Sequence, residues 1–422
     1  MPKTVREERQ APPGTQPTQQ RPSAPRLVWL LGPALVAGVA YLDPGNVASN
    51  MTAGSRYGYL LVWVVVASNL MAMLIQYLSA KAGIATGKSL PELCRDNFGK
   101  PVSRGLWVQA ELVAIATDLA EVLGGAIALR LLFGLPLLVG GVITAAVAFA
   151  LLGLQTRGVR RFEVVITGML LVVLIGFLYS LVIGGVDARA AAAGLVPRFE
   201  GPETVLLATG MLGATVMPHV IYLHGALTQS RYVRRTEAER LALLRSQRVD
   251  VVAAMGLAGL INLSMLAVAA ENLSDLPVPV DTIEGAYAGI GATLGPTAAV
   301  LFGLALLASG FAASGVGTLS GQVVMQGFLQ RRIPLVVRRL VTLAPALVII
   351  AAGVDTTAAL VISQVVLSFG IPFALIPLVM LTRRPDLMGA LVNRRHTTLV
   401  AALVAAVITG LNVTLIVLTL IG

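Results

Sequence analysis

Apolar stretches long enough to cross a lipid bilayer recur from Trp29 to Gly422, separated only by short polar breaks. A helix needs about 20 mainly apolar residues to span the hydrocarbon core, so these stretches dictate an all-α polytopic membrane protein. They leave no segment for a separate soluble catalytic domain. Charged residues make up only 12% of the 422, against roughly a quarter in soluble domains.

Hydrophobic runs predict eleven spans, near 29–53, 60–80, 106–132, 136–154, 164–183, 205–229, 251–270, 297–328, 340–352, 358–381 and 399–421, the ninth starting closer to Pro334. Residues 1–26, rich in Pro, Gln and charge and without apolar periodicity, are expected to form a disordered cytoplasmic tail. The first apolar run lies too far along the chain for a cleavable signal and continues as a full span. The net charge of +10 sits in alternate loops rather than along one stripe, which argues against nucleic acid. With the tail inside, 27 of the 31 Lys and Arg fall in cytoplasmic loops, leaving Arg56, Arg130, Arg189 and Arg198 outside. That bias predicts a cytoplasmic N-terminus and an external C-terminus, in the plasma or inner membrane. The one cysteine, Cys94, excludes an intrachain disulfide and is expected to be inert in a cytoplasmic loop.

Two spans are interrupted. The first carries Asp43-Pro44-Gly45-Asn46 in mid-membrane, and the sixth carries Gly213-Ala214-Thr215-Val216-Met217-Pro218-His219. Proline removes a donor and disfavours helix at the preceding residue, so carbonyls at Ala40 and Ala214 should be left free. Lipid cannot satisfy such groups, and irregular backbone survives at depth only where it lines a cavity. One such site reads as a kink; two, five spans apart and each beside polar residues, read as an inverted-repeat transporter with substrate between the breaks. The expected units are a first repeat over 27–185, a second over 203–381, and an additional span over 397–422.

Ionisable residues within spans mark function by default. Asp43 and Asn46 offer hard oxygen ligands, and the two carbonyls add more. Met217 adds a thioether, which tilts the site from Ca²⁺ or Mg²⁺ toward Mn²⁺, Fe²⁺, Co²⁺ or Cd²⁺. On the third span Glu111, Asp118 and Glu121 lie within an arc of roughly 80°, a stripe suited to relaying protons or to pairing with Arg338 and Arg339. His219, beside the second break, fits a ligand or a proton carrier, between which the residues alone do not choose, with a packed polar residue as the lesser alternative. His224 and His396, the latter expected in a loop, receive no role.

The strings Asp43-Pro-Gly-Asn46, Met217-Pro-His219 and Gly321-Gln-Val-Val-Met-Gln-Gly-Phe328 resemble the signatures of the Nramp family, the natural-resistance-associated macrophage proteins and bacterial MntH-type manganese importers. The likeness runs through nearly the whole chain after Arg26. It implies a LeuT-type fold with eleven helices in a 5+5 inverted repeat, and proton-coupled uptake of Mn²⁺ or Fe²⁺ by alternating access. It implies metal held by Asp43, Asn46, Met217, the Ala40 and Ala214 carbonyls and, in some states, Gln364. It also implies a proton path through Asp43, His219, Asp118, Glu121 and the Arg338/Arg339 pair. Gln326 departs from the glutamate that many relatives carry there. No bound cofactor is expected beyond the transported metal and proton, and no protein partner beyond the bilayer.

The nearest rival reading is a cation-coupled amino-acid symporter of the same fold, which would want free helix N-termini and hydroxyls rather than an acid beside a thioether. An intramembrane enzyme would need a constellation such as H-E-x-x-H, which the sequence lacks.

Overall fold

A computed structural model of the chain describes residues 32–156, 159–231, 236–274, 276, 280, 282–330 and 334–421. The expected tail at 1–26, parts of three basic loops, and Asp275 and Asp281 lie outside these residues. Every regular element among the described residues is a helix.

The first span is split into α1 (Pro33–Ala40) and α2 (Pro44–Tyr57). Then follow α3 (Val62–Thr86), a short α4 (Leu90–Asn97), α5 (Lys100–Phe133), α6 (Leu137–Thr156) and α7 (Val159–Gly184). A one-and-a-half-turn α8 (Ala188–Ala193) precedes the second split span, α9 (Pro202–Thr215) and α10 (Pro218–Arg231). The rest comprises α11 (Glu237–Asn272), α12 (Ile283–Leu294), α13 (Pro296–Leu329), α14 (Leu335–Ala351), α15 (Thr356–Thr382), a short α16 (Pro385–Met388) and α17 (Arg395–Ile421).

Eight described segments are long and apolar enough to cross a membrane. The α1/α2 pair and the 17-residue α14 are not among them, and α6 carries only the shorter apolar stretch Leu137–Leu151. Two helices outrun the apolar runs that predicted them. Helix α5 starts at Lys100, six residues before the expected span, and α11 starts at Glu237, where Thr236 accepts from the Glu239 N–H while Glu239 accepts from the Thr236 N–H. That reciprocal cap satisfies orphan donors ahead of the apolar stretch, so the helix begins at the cap. His396 likewise lies in the first turn of α17, not in a loop.

Burial sorts the spans. In the split segment Pro202–Gln229, 94% of the apolar window is buried, against 33% in Arg161–Gly184 and Arg395–Leu420. The broken element is therefore central and α7 and α17 peripheral, where Leu399, Leu403 and Val182 stay exposed as lipid requires. Around the centre, α2 packs against α11, α15 and α9, while α1 leans on α11, α13 and α10. Helix α5 runs along α13 and α15 and also receives α14.

Candidate functional site

Both breaks arise from one local device. Each proline stands four residues after an alanine, Pro44 after Ala40 and Pro218 after Ala214, where a helix would place the N–H that bonds that alanine's carbonyl. At the first break the chain tightens into a 3₁₀-like turn, with N–H groups of Tyr41, Leu42 and Asp43 donating to the carbonyls of Gly38, Val39 and Ala40 at 3.1–3.3 Å. The Ala40 carbonyl is thus not free, contrary to the expectation from the missing proline N–H. A donor one residue earlier reaches it at 3.3 Å, and a carbonyl keeps a second lone pair. At Ala214 no backbone donor closes on the carbonyl among the described residues.

Asp43 is the N-cap of α2. Its extended backbone (φ −64°, ψ 161°) lets Oδ1 accept from the Asn46 N–H at 2.9 Å. Its other oxygen accepts from the Gln364 amide at 2.9 Å, across 321 residues of sequence. Asn46 donates to the Tyr41 carbonyl and to Asn262 (2.7 Å), and its side-chain oxygen accepts from Asn50 at 2.7 Å. The Leu42 carbonyl accepts from the Ser309 hydroxyl. Asp43, Asn46, Met217 and Gln364 are all fully buried.

Two glycines show how closely the breaks converge. A Cβ at Gly45, just after Asp43, would overlap the Gln364 amide, and a Cβ at Gly213, just before Ala214, would overlap the Gln364 carbonyl. Gln364 on α15 is therefore wedged between the two interrupted spans, touching the first with its side chain and the second with its backbone. Its Oε1 is buried and has no hydrogen-bond partner, which normally costs about 1–3 kcal/mol. Among the described residues no group of three or more His, Cys, Asp or Glu is arranged to hold a metal ion, so any cation here would meet one carboxylate, amides, carbonyls and sulfur.

The expected carboxylate stripe is also assembled. Arg339 bonds Asp118 and the Ser314 hydroxyl, and its Nη2 lies 3.4 Å from Glu121. Arg338 pairs with Glu111 at 3.1 Å. Asp118, Glu121 and Arg339 are each under 5% exposed. One guanidinium between two buried carboxylates leaves a net negative triad, unless one carboxyl holds a proton. His219 approaches the Thr117 hydroxyl through Nδ1 at 3.3 Å, next to Asp118, and its carbonyl accepts from Ser320 at 2.6 Å.

Some neighbours escaped the sequence reading. Asn50 follows Asn46 by one turn, a spacing that was visible; Asn262 and Ser309 come from distant helices and gave no local signal. His224, left without a role, sits in a buried polar chain. Tyr41 meets Gln76, Gln76 meets His224 at 2.9 Å, and Gln247 reaches Asp250 at 2.8 Å, which accepts from the Ala34 N–H at the start of α1. Gln247 Nε2 also lies 3.4 Å from His224.

A family model described as natural resistance-associated macrophage protein-like matches residues 34–418. The chain is 54% identical over 392 residues to the divalent metal cation transporter MntH of Bacillus subtilis, covering 93% of this chain and 92% of that protein. It is 52% identical over 395 residues to the protein of the same description from Deinococcus radiodurans, covering 92% and 89%. Among solved structures, mutants of the Eremococcus coleocola manganese transporter superpose with a TM-score of 0.83 at 32% identity, over 93% of this chain and 87% of that one. Mhp1, a nucleobase-cation-symport-1 family transporter, aligns at TM-score 0.63 and 16% identity over 93% of this chain and 91% of its own, a likeness of fold alone. The all-helical architecture is that of the LeuT-type transporters, and the chain belongs to the Nramp family.

Proposed function

We propose that the chain imports divalent transition-metal ions, Mn²⁺ or Fe²⁺, by alternating access across the plasma or inner membrane, with protons as the coupled ion. The observation that carries this reading is the buried junction at Gln364, where a carboxylate, an unpartnered amide oxygen and two helix breaks converge. The relatives' description as divalent metal cation transporters supports the same cargo.

On this reading Asp43, Asn46, Met217 and the Ala40 and Ala214 carbonyls replace the ion's water, joined by Gln364. A half-turn of the Gln364 amide would replace its donor facing Asp43 with the orphaned Oε1, so that carboxylate and amide oxygen face one cation. A single carboxylate holds the ion loosely enough for release, as transport demands, and the thioether disfavours Ca²⁺ and Mg²⁺. Arrival of the dication repels a proton near Asp43, which passes by way of His219 toward Asp118 and Glu121 and on to the Arg339, Arg338 and Glu111 pairs. The basic-loop bias supports a cytoplasmic N-terminus and external C-terminus. The protein works as a secondary carrier rather than an enzyme, and the amino-acid symporter reading loses ground because the relatives are described as metal transporters.

Proteoliposomes loaded with a Mn²⁺-sensitive dye test the reading. The wild type should take up Mn²⁺ faster with an inward proton gradient, and Asp43→Asn should slow uptake about tenfold or more, the equivalent of about 1.4 kcal/mol or more. Wild-type rates in Asp43→Asn would refute the site.

A further inference from the structure

Helix α15, which carries Gln364, has a proline in its interior at Pro372. In an α-helix the carbonyl of one residue accepts from the N–H four residues later, so Pro372 leaves the Ser368 carbonyl without its helical donor. Ser368 is fully buried, one turn after Gln364. A Cβ at Gly213, beside the second break, would overlap both the Gln364 carbonyl and the Ser368 nitrogen. The turn that presses Gln364 against α9 is therefore the turn whose next hydrogen bond the proline removes.

The replacement donor comes from α17. Asn412 Nδ2 donates to the Ser368 carbonyl at 3.0 Å, and its Oδ1 accepts from the Ser368 hydroxyl at 2.9 Å. Ser363 and Thr382 of the same helix bond back to α15 itself, whereas Ser368 turns outward to this one side chain. Asn412 is buried in a helix that is otherwise mostly open to lipid. Beside it, Val205 of α9, Val365 of α15 and Leu415 of α17 form a small apolar cluster of their own, so α17 seals both elements that Gln364 joins. Asparagine is a common glue between membrane helices and accepts many partners. Here it meets the one carbonyl of α15 that Pro372 orphans.

We propose that Asn412 is a positioning residue for metal binding: by supplying the donor that Pro372 withholds from Ser368, α17 holds the Gln364 turn of α15 in register with the two breaks. The inference rests on the reading of Gln364 as a metal ligand. Asn412 acts through that turn and not on the ion.

Mn²⁺ uptake by proteoliposomes of the full-length protein tests this through coupled variants. Asn412→Leu should raise KM for Mn²⁺ about fivefold, the worth of one hydrogen bond, with the maximal rate nearly kept. Pro372→Ala returns a backbone N–H to α15, so adding Asn412→Leu to it should shift KM by less than about twofold, as should adding it to Gln364→Ala. An unchanged KM in Asn412→Leu alone, or the full rise on either background, overturns the proposal. Thermal midpoints in detergent read the donor without transport. Asn412→Leu should lower the midpoint of wild type and leave that of Pro372→Ala nearly unchanged; equal losses overturn the proposal while the metal reading stands. Coupled midpoints in a protein that carries no Mn²⁺ would instead refute the metal reading and keep the tether. Should Asn412→Leu not fold, recovery of folded protein on adding Pro372→Ala supports the proposal, and continued failure overturns it.

Discussion

Asp43 brings a carboxyl group to a fully buried junction, and Met217 brings sulfur to the second break. Hard carboxylate and carbonyl oxygens bind any small dication; sulfur discriminates among them. Met217→Ala is therefore expected to cut Mn²⁺ uptake several-fold while making it more sensitive to competing Ca²⁺, measured by dye influx in proteoliposomes. Gly45 has a separate job, leaving room for the Gln364 amide. Gly45→Ala should abolish most uptake with the protein still monodisperse on size exclusion, since the added methyl drives Gln364 off Asp43. Wild-type uptake in that variant would contradict the packing described at the first break.

At the scale of elements, both breaks were legible because their cause is local: a proline removes the donor owed to a specific alanine carbonyl. The third-span stripe was legible for a similar reason, helical spacing alone placing Glu111, Asp118 and Glu121 on one face. What converges on those elements was not. Gln364, Asn262 and Ser309 come from helices far away in sequence, and only a family likeness pointed to Gln364. The extra turns of α5 and α11 escaped because they are polar, so that hydrophobic runs end before the helices do. Arg339 ties α14 to α5 by pairing with both Asp118 and Glu121. Arg339→Met should lower stability by about 3–5 kcal/mol, since two buried carboxylates lose their partner. Adding Asp118→Asn and Glu121→Gln should restore part of the thermal midpoint in detergent; no loss in the single variant would contradict the ion-pair account.

Across the whole molecule, the central burial of α9 and α10 and the lipid-like exterior of α7 and α17 describe a transporter core with peripheral helices. The proposed orientation makes a further prediction. Cys94 is buried outside the spans, and burial pushes its thiol up to about 12, so it should stay unlabelled by maleimide at neutral pH. Against that quiet background, Leu195→Cys should react with a membrane-impermeant maleimide in intact cells, and Leu241→Cys only after lysis. The opposite pattern would invert the topology. The account as a whole turns on one cation occupying the place where the two interrupted spans meet. Anomalous diffraction from crystals soaked in Mn²⁺ tests this most directly: a single peak within bonding distance of Asp43 and Met217 is the predicted result. A peak bound elsewhere, with that junction empty at saturating Mn²⁺, would contradict it.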